Sequence, residues 1–217
     1  MIKAVIFDYD GTLANREKGA CSAYRAYLKN FVIKEKIDDV HFEALVQDLL
    51  LWDEFGAGNK KYMIERFNNK HGYSINHDHL INWWIENLGI YEPLFENTLK
   101  TLDYLKGKYK LGIITNGTKL AQNTKIDCTN IRHYFDSIVI SGEFGKHKPD
   151  VSIFEEALRQ LDVLPHEAIY VGDSFYNDVL GAYNAKIKPI WIWCDDGKYN
   201  LDSTKRIFKI EDLMEIL

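Results

Sequence analysis

Two carboxylates near the start of the chain have the clearest chemical potential: Asp8 and Asp10, separated by Tyr9 and followed by Gly11, Thr12 and Leu13. A carboxylate can attack an electrophile, pass a proton or hold a cation, and a pair can divide those tasks. If the chain stays extended through this stretch, the strand period puts both acids on one side and Tyr9 on the other. Two like charges about 4 Å apart repel by roughly 4 kcal/mol at an effective dielectric near 20, which predicts a positive group between them. Taken alone, Asp-x-Asp-Gly reads equally well as a solvated strand end that marks a turn.

The element that must present these acids is Ala4-Val5-Ile6-Phe7, an apolar run that reads as a strand buried on both faces. After Leu13 the pattern becomes helical for roughly 80 residues. Stripes at Cys21, Tyr24, Tyr27, Leu28 and Phe31, at Phe42, Leu45, Val46, Leu49 and Leu50, at Tyr62, Met63, Arg66 and Phe67, and at Leu80, Ile81, Trp84, Ile85 and Leu88 predict four helices, the last stopped by Gly89. From Phe95 the pattern alternates. Strands are expected at 111–115, 137–141, 168–172 and 189–193, with helices between them and a short closing helix within 208–217. With the first strand this makes five parallel strands, whose carboxyl ends are where ligands bind.

Chemistry-bearing residues recur at those ends. Thr115-Asn116-Gly117 closes one strand, Lys148-Pro149-Asp150 follows another, and Gly172-Asp173-Ser174-x-x-Asn177-Asp178 closes a third. Together with Asp8-Tyr9-Asp10-Gly11-Thr12-Leu13, these four ordered motifs span the chain and resemble those of the haloacid dehalogenase-like hydrolases. The resemblance implies a Rossmann-like, doubly wound parallel sheet, with the first strand central, and an inserted α-helical cap. Residues 1–14 and 93–217 would form the core and 15–92 the cap, with its loops near Arg16 to Lys18 and Trp52 to Gly58 facing the substrate.

It also implies roles for the motif residues. Asp8 would be the nucleophile that forms an aspartyl-phosphate, and Asp10 the acid and base; the dehalogenase branch lacks this second acid, so its presence favours phosphate esters. Thr115 and the backbone of Asn116 and Gly117 would bind phosphate, and Lys148 would neutralise it. Lys146 competes for that role, but only Lys148 precedes Pro149-Asp150, although Val151 stands where the family often has a further proline. Asp8, Asp173 and the main-chain carbonyl of Asp10 would ligate a metal, with Asp178 orienting bound water or Lys148 behind them. Oxygen donors without His or Cys favour Mg²⁺.

Composition narrows the partners. Of 217 residues, 46% are hydrophobic and 27% charged, and the formal charge of -5 offers no basic surplus for a nucleic-acid polymer. No run suits a membrane helix and no signal peptide is evident, so a cytoplasmic enzyme is expected. Cys21, Cys128 and Cys194 match neither a disulfide framework nor a zinc site. The expected activity is therefore Mg²⁺-dependent hydrolysis of a small phosphate monoester. The stretch from Thr115 to Leu158 is most similar to pyrimidine 5'-nucleotidases, which makes a nucleoside monophosphate the first substrate to consider. A phosphomutase of the β-phosphoglucomutase kind and a non-enzymatic module that takes up phosphate on an aspartate are the alternatives.

Overall fold

The computed structural model describes residues 1–56, 58–193 and 204–217; Cys194 lies outside them. The chain divides into two compact units, Met1–Asn15 with Leu94–Leu217, and Arg16–Pro93.

The first unit is built on a six-stranded parallel sheet. Its elements in chain order are β1 (Ala4–Phe7); then, after the second unit, α5 (Thr98–Leu105), β2 (Lys110–Thr115), α6 (Lys119–Cys128), β3 (Ser137–Ile140), α7 (Ser141–Phe144), α8 (Val151–Leu161), β4 (Ala168–Gly172), α9 (Gly181–Asn184), β5 (Lys188–Ile192), β6 (Lys205–Ile207) and α10 (Leu213–Ile216). The strand order is β3-β2-β1-β4-β5-β6. Thus β1 lies at the centre, with Phe7 paired to Ile113 of β2 and to Val171 of β4. The chain runs outward to β3 and then returns to β4 on the other side, so the order reverses beside the carboxyl end of β1.

The strand period sorts the β1 side chains between two cores. Val5 and Phe7 join Leu102, Leu105, Ile126 and Leu213 on one face, and Ala4 and Ile6 join Ile153, Phe154 and Leu158 on the other. All four residues of β1 are fully buried, which is why the run had to be apolar without alternation. The sixth strand was not expected from the sequence. Lys205-Arg206-Ile207 is short and carries two cations, which suits a sheet edge and hides it from a search for apolar runs.

The second unit holds α1 (Arg16–Tyr27), α2 (Asp39–Asp53), α3 (Lys60–His71) and α4 (His77–Tyr91). Asp38, Asn59 and Asn76 cap the last three by accepting from backbone N-H groups of the first turn, and Gly72 closes α3 at φ 73°. The core is aromatic and aliphatic, with Tyr24, Tyr27, Leu49, Met63, Phe67 and Trp84 at its centre. Three expectations need correction. Gly89 does not stop α4, which runs on to Tyr91; Pro93 ends it, by forcing Glu92 into extended backbone. Tyr62 is exposed and Ile64 is buried instead, so the inner face of α3 is turned from the one expected. Arg16 to Lys18 form the first turn of α1 and not a loop. Arg16 is there because the buried Asp53 needs it: Arg16 Nη1 lies 2.8 Å and Tyr24 Oη 2.9 Å from its carboxylate, and Lys60 pairs with it as well.

Candidate active site

The centre of the site is a lysine held by three oxygens. Lys148 Nζ donates to Asp8 Oδ1 at 2.6 Å, to Asp178 Oδ1 at 2.7 Å and to Tyr170 Oη at 3.0 Å, which uses all three ammonium protons. Tyr170 Oη in turn donates to Asp178 Oδ1 at 2.9 Å, and the N-H of Ser174 donates to Asp178 Oδ2 at 2.9 Å. Asp8 is placed by the sheet itself, since its N-H donates to the carbonyl of Val171 in β4. Gly172 ends that strand because a Cβ there would stand 2.4 Å from Cβ of Asp178. Burial disfavours the Lys148 cation, but Asp178 and Asp8 outweigh it and hold its pKa above the usual range. Lys146, by contrast, is exposed and lies 3.9 Å from Asp150.

Asp10 goes elsewhere. Extended backbone ends at Asp8: Thr12, Leu13 and Ala14 all donate to the Tyr9 carbonyl, and Gly11 turns the chain at φ 83°. Among the described residues no single cation therefore sits between the two acids, contrary to the strand-period argument. Asp8 has Lys148, and Asp10 has Lys125 of α6, with which it forms an ion pair, while Gln122 Nε2 donates to Asp10 Oδ2 at 2.7 Å. Gln122 also donates to Thr115 Oγ1 at 2.5 Å, leaving the threonine proton to point toward another acceptor.

The turn after β2 is tied down on both sides. Asn116 Nδ2 donates to the Lys148 carbonyl at 3.1 Å and its Oδ1 accepts from the Lys148 N-H at 2.9 Å, which fixes the segment carrying the lysine. The Gly117 N-H donates to Ser141 Oγ at 3.0 Å. Ser141 lies at the start of α7, so this contact ties the turn to that helix.

Asp173 completes the site. Its carbonyl accepts from Trp191 Nε1 at 2.8 Å. A Cβ on Gly11 would lie 2.4 Å from its Oδ2, so only glycine fits both that approach and the positive φ. Among the described residues, Asp8, Asp173 and Asp178 bring carboxylate oxygens within 4.8 Å of one another. Burial, with the Asp178 charge behind it, pushes Asp173 from 3.8 up to about 7. Burial likewise raises Asp8 well above its usual range, against the opposing pull of Lys148. Fully ionised, the three carboxylates would outnumber the one ammonium by two charges, and all the donors are hard oxygens. That donor set fits a divalent ion such as Mg²⁺. Asp178 already accepts three hydrogen bonds, which marks Asp8 and Asp173 as the side chains with oxygen lone pairs to give.

Asp8, Lys148, Asp173 and Asp178 thus form one cluster, and Asp10 and Thr115 a second, joined through Gln122. Sequence reasoning missed Tyr170, Gln122 and Lys125. Each sits at an inward position of an otherwise apolar pattern: Tyr170 inside the strand Ala-Ile-Tyr-Val-Gly, and Gln122 and Lys125 three residues apart on the face of α6 that buries Ile126. A polar residue at a core position was the available signal.

Known proteins resemble this chain in sequence and in fold. The chain is 34% identical to a glyceraldehyde 3-phosphate phosphatase of Methanothermobacter thermautotrophicus, over 88% of this chain and 86% of that one. It is 39% identical to the pyrimidine 5'-nucleotidase YjjG of Escherichia coli, over 42% of this chain and 41% of the other. Its fold matches that of the magnesium-bound HAD-hydrolase YfnB of Bacillus subtilis with a TM-score of 0.78, at 20% identity, across 99% of this chain and 98% of that one. The family profile described as haloacid dehalogenase-like hydrolase matches residues 5–192, which takes in all four motifs, and the chain belongs to that family.

Proposed function

We propose that this enzyme, a phosphatase of its family, is Mg²⁺-dependent and hydrolyses a small phosphate monoester through an aspartyl-phosphate on Asp8. The observation that carries the reading is the Lys148 ammonium bridging Asp8 and Asp178, with Asp173 beside them and a second acid, Asp10, separately held. Asp8 attacks phosphorus while Asp10 gives a proton to the departing oxygen; Asp10 then takes a proton from the water that attacks the phosphorus of the aspartyl-phosphate. Phosphate is released, and the Asp8 carboxylate and the proton on Asp10 are restored. Lys148 holds the nucleophile's carboxylate and meets the phosphate charge, with the Thr115 hydroxyl as a further donor. Asp8, Asp173 and the Asp10 carbonyl would hold Mg²⁺, which when bound offsets the excess negative charge and draws electron density from the phosphoryl oxygens. Residues 15–92 would serve as a cap that selects substrate, and the enzyme would work in the cytoplasm.

The match to a glyceraldehyde 3-phosphate phosphatase covers most of the chain, whereas the nucleotidase match covers less than half of it. This supports a sugar or triose phosphate ahead of a nucleoside monophosphate. The test is phosphate release from both classes, with Mg²⁺ and with a chelator, and without any activating sugar bisphosphate. Release that needs the metal is the expected result. Turnover only with an added bisphosphate would instead mark a phosphomutase.

The raised pKa of Asp173 makes a prediction about the metal-free protein. A carboxyl that binds its proton more tightly when folded gives the native state more bound protons than the unfolded chain. Stability then falls as pH rises from near 4 through about 7. The shift from 3.8 to about 7 corresponds to about 4 kcal/mol at most. Without metal, the thermal midpoint should be higher at pH 5.5 than at pH 7.5 (~2 pH units across the window). Mg²⁺ or Asp173→Asn should shrink the difference. A midpoint that rises with pH in the metal-free protein would contradict the assignment.

A further inference from the structure

We infer that Lys125 and Gln122 are positioning residues that hold the Asp10 carboxylate where the proton-transfer steps need it and tie it to the Thr115 hydroxyl. This rests on the reading of Asp10 as the acid. Strand pairing does not set the direction of the Asp10 side chain: after Asp8 the backbone leaves the sheet, and Gly11 turns it at once. Orientation comes from α6 instead. One carboxylate oxygen of Asp10 accepts from Gln122 Nε2 at 2.7 Å and the other pairs with Lys125 Nζ, so both ends of the carboxylate are anchored to one helix.

The helix is itself fixed to the strand end, because Tyr9 Oη donates to the Lys125 carbonyl at 3.0 Å. The Lys125 side chain is only 6% exposed, and a lysine that deep is costly unless its charge meets a partner. Gln122 is buried too, and the same amide group reaches Thr115 Oγ1 at 2.5 Å. A single side chain therefore sets the acid and a candidate phosphate donor relative to each other. That is the tolerance a proton transfer in line with phosphoryl transfer demands, since small displacements of a catalytic group are expensive in rate.

Leaving-group dependence separates positioning from mere support of the fold. An alkoxide leaves only with a proton, whereas nitrophenolate departs readily without one. The comparison is kcat/KM for p-nitrophenyl phosphate against the best alkyl phosphate found in the substrate panel, in wild type, Lys125→Met, Lys125→Arg and Asp10→Asn. The ratio of the two values is independent of how much of each preparation is folded. Lys125→Met should lose about 100-fold on the alkyl ester but less than about tenfold on the aryl ester. Asp10→Asn should discriminate in the same sense, and Lys125→Arg should recover most of the ratio. If Asp10→Asn discriminates while Lys125→Met depresses both substrates equally, the inference is overturned and the reading of Asp10 stands. If Asp10→Asn itself depresses both equally, the acid assignment falls and this inference with it. Should Lys125→Met give no soluble protein, Gln122→Met decides by the same ratio.

Discussion

Asp8→Asn should abolish turnover, with kcat reduced by about 10⁴-fold or more, while the protein stays folded and at least as stable as wild type. The catalytic loss follows from chemistry: the amide has nearly the shape of the carboxylate but no oxygen that can displace an alkoxide from phosphorus. The stability half follows from electrostatics. Asp8 lies in a buried cluster where acids outnumber bases, and burial pushes its pKa well above the usual range, so its ionised form strains the metal-free native state near neutrality. Removing that charge leaves Lys148 with Asp178 still in place at 2.7 Å. Thermal unfolding without metal and a discontinuous assay for phosphate release read the two halves separately. Mass spectrometry of the wild type, quenched during turnover, should find one phosphoryl group on the peptide that contains Asp8. Activity retained in Asp8→Asn would remove the covalent mechanism altogether.

The second large effect is on stability. Lys148→Ala deletes the cation that Asp8, Asp178 and Tyr170 all face, at a position where the lysine side chain is only 2% exposed. Breaking a buried ion pair from one side costs about 3–5 kcal/mol, because the remaining charges keep the burial penalty and lose the attraction. In a chain of this size that lowers the thermal midpoint by about 10 °C. Activity should vanish as well. The diagnostic feature is rescue: adding Asp178→Asn to Lys148→Ala removes one of the stranded charges and should restore a good part of the midpoint without restoring turnover. A loss below about 1 kcal/mol, or no coupling between the two changes, would show that the cluster is solvated and not buried.

Both predictions turn on residues whose identities were plain in the amino-acid sequence and whose surroundings were not. The apolar run at Ala4 to Phe7, the alternation of strands and helices after Phe95 and the helical stripes between them were legible because burial on one face or two imposes a period on the residue types. The motif ends were legible because a charge or a glycine is abrupt after an apolar strand. The resemblance to the hydrolase family then tied those ends together, and the match over residues 5–192 agrees with it.

Long-range choices were decided only by the tertiary structure. Which of Lys146 and Lys148 is buried depends on the Asn116 side chain, 32 residues away in sequence, gripping the backbone at Lys148. Where Asp10 points depends on the turn at Gly11 and on two side chains of α6, more than 110 residues along the chain. Local period alone placed Asp8 and Asp10 together. The backbone hydrogen bonds to Tyr9 and the ion pair with Lys125 part their partners instead. The edge strand Lys205–Ile207 belongs to the same class, since its pairing with β5 and not its composition makes it a strand. Sequence by itself determined which groups could act and which elements end in them, because burial and local backbone geometry are written in neighbouring residues. The structure decided which charge neutralises which, because electrostatic partners are chosen by distance in space.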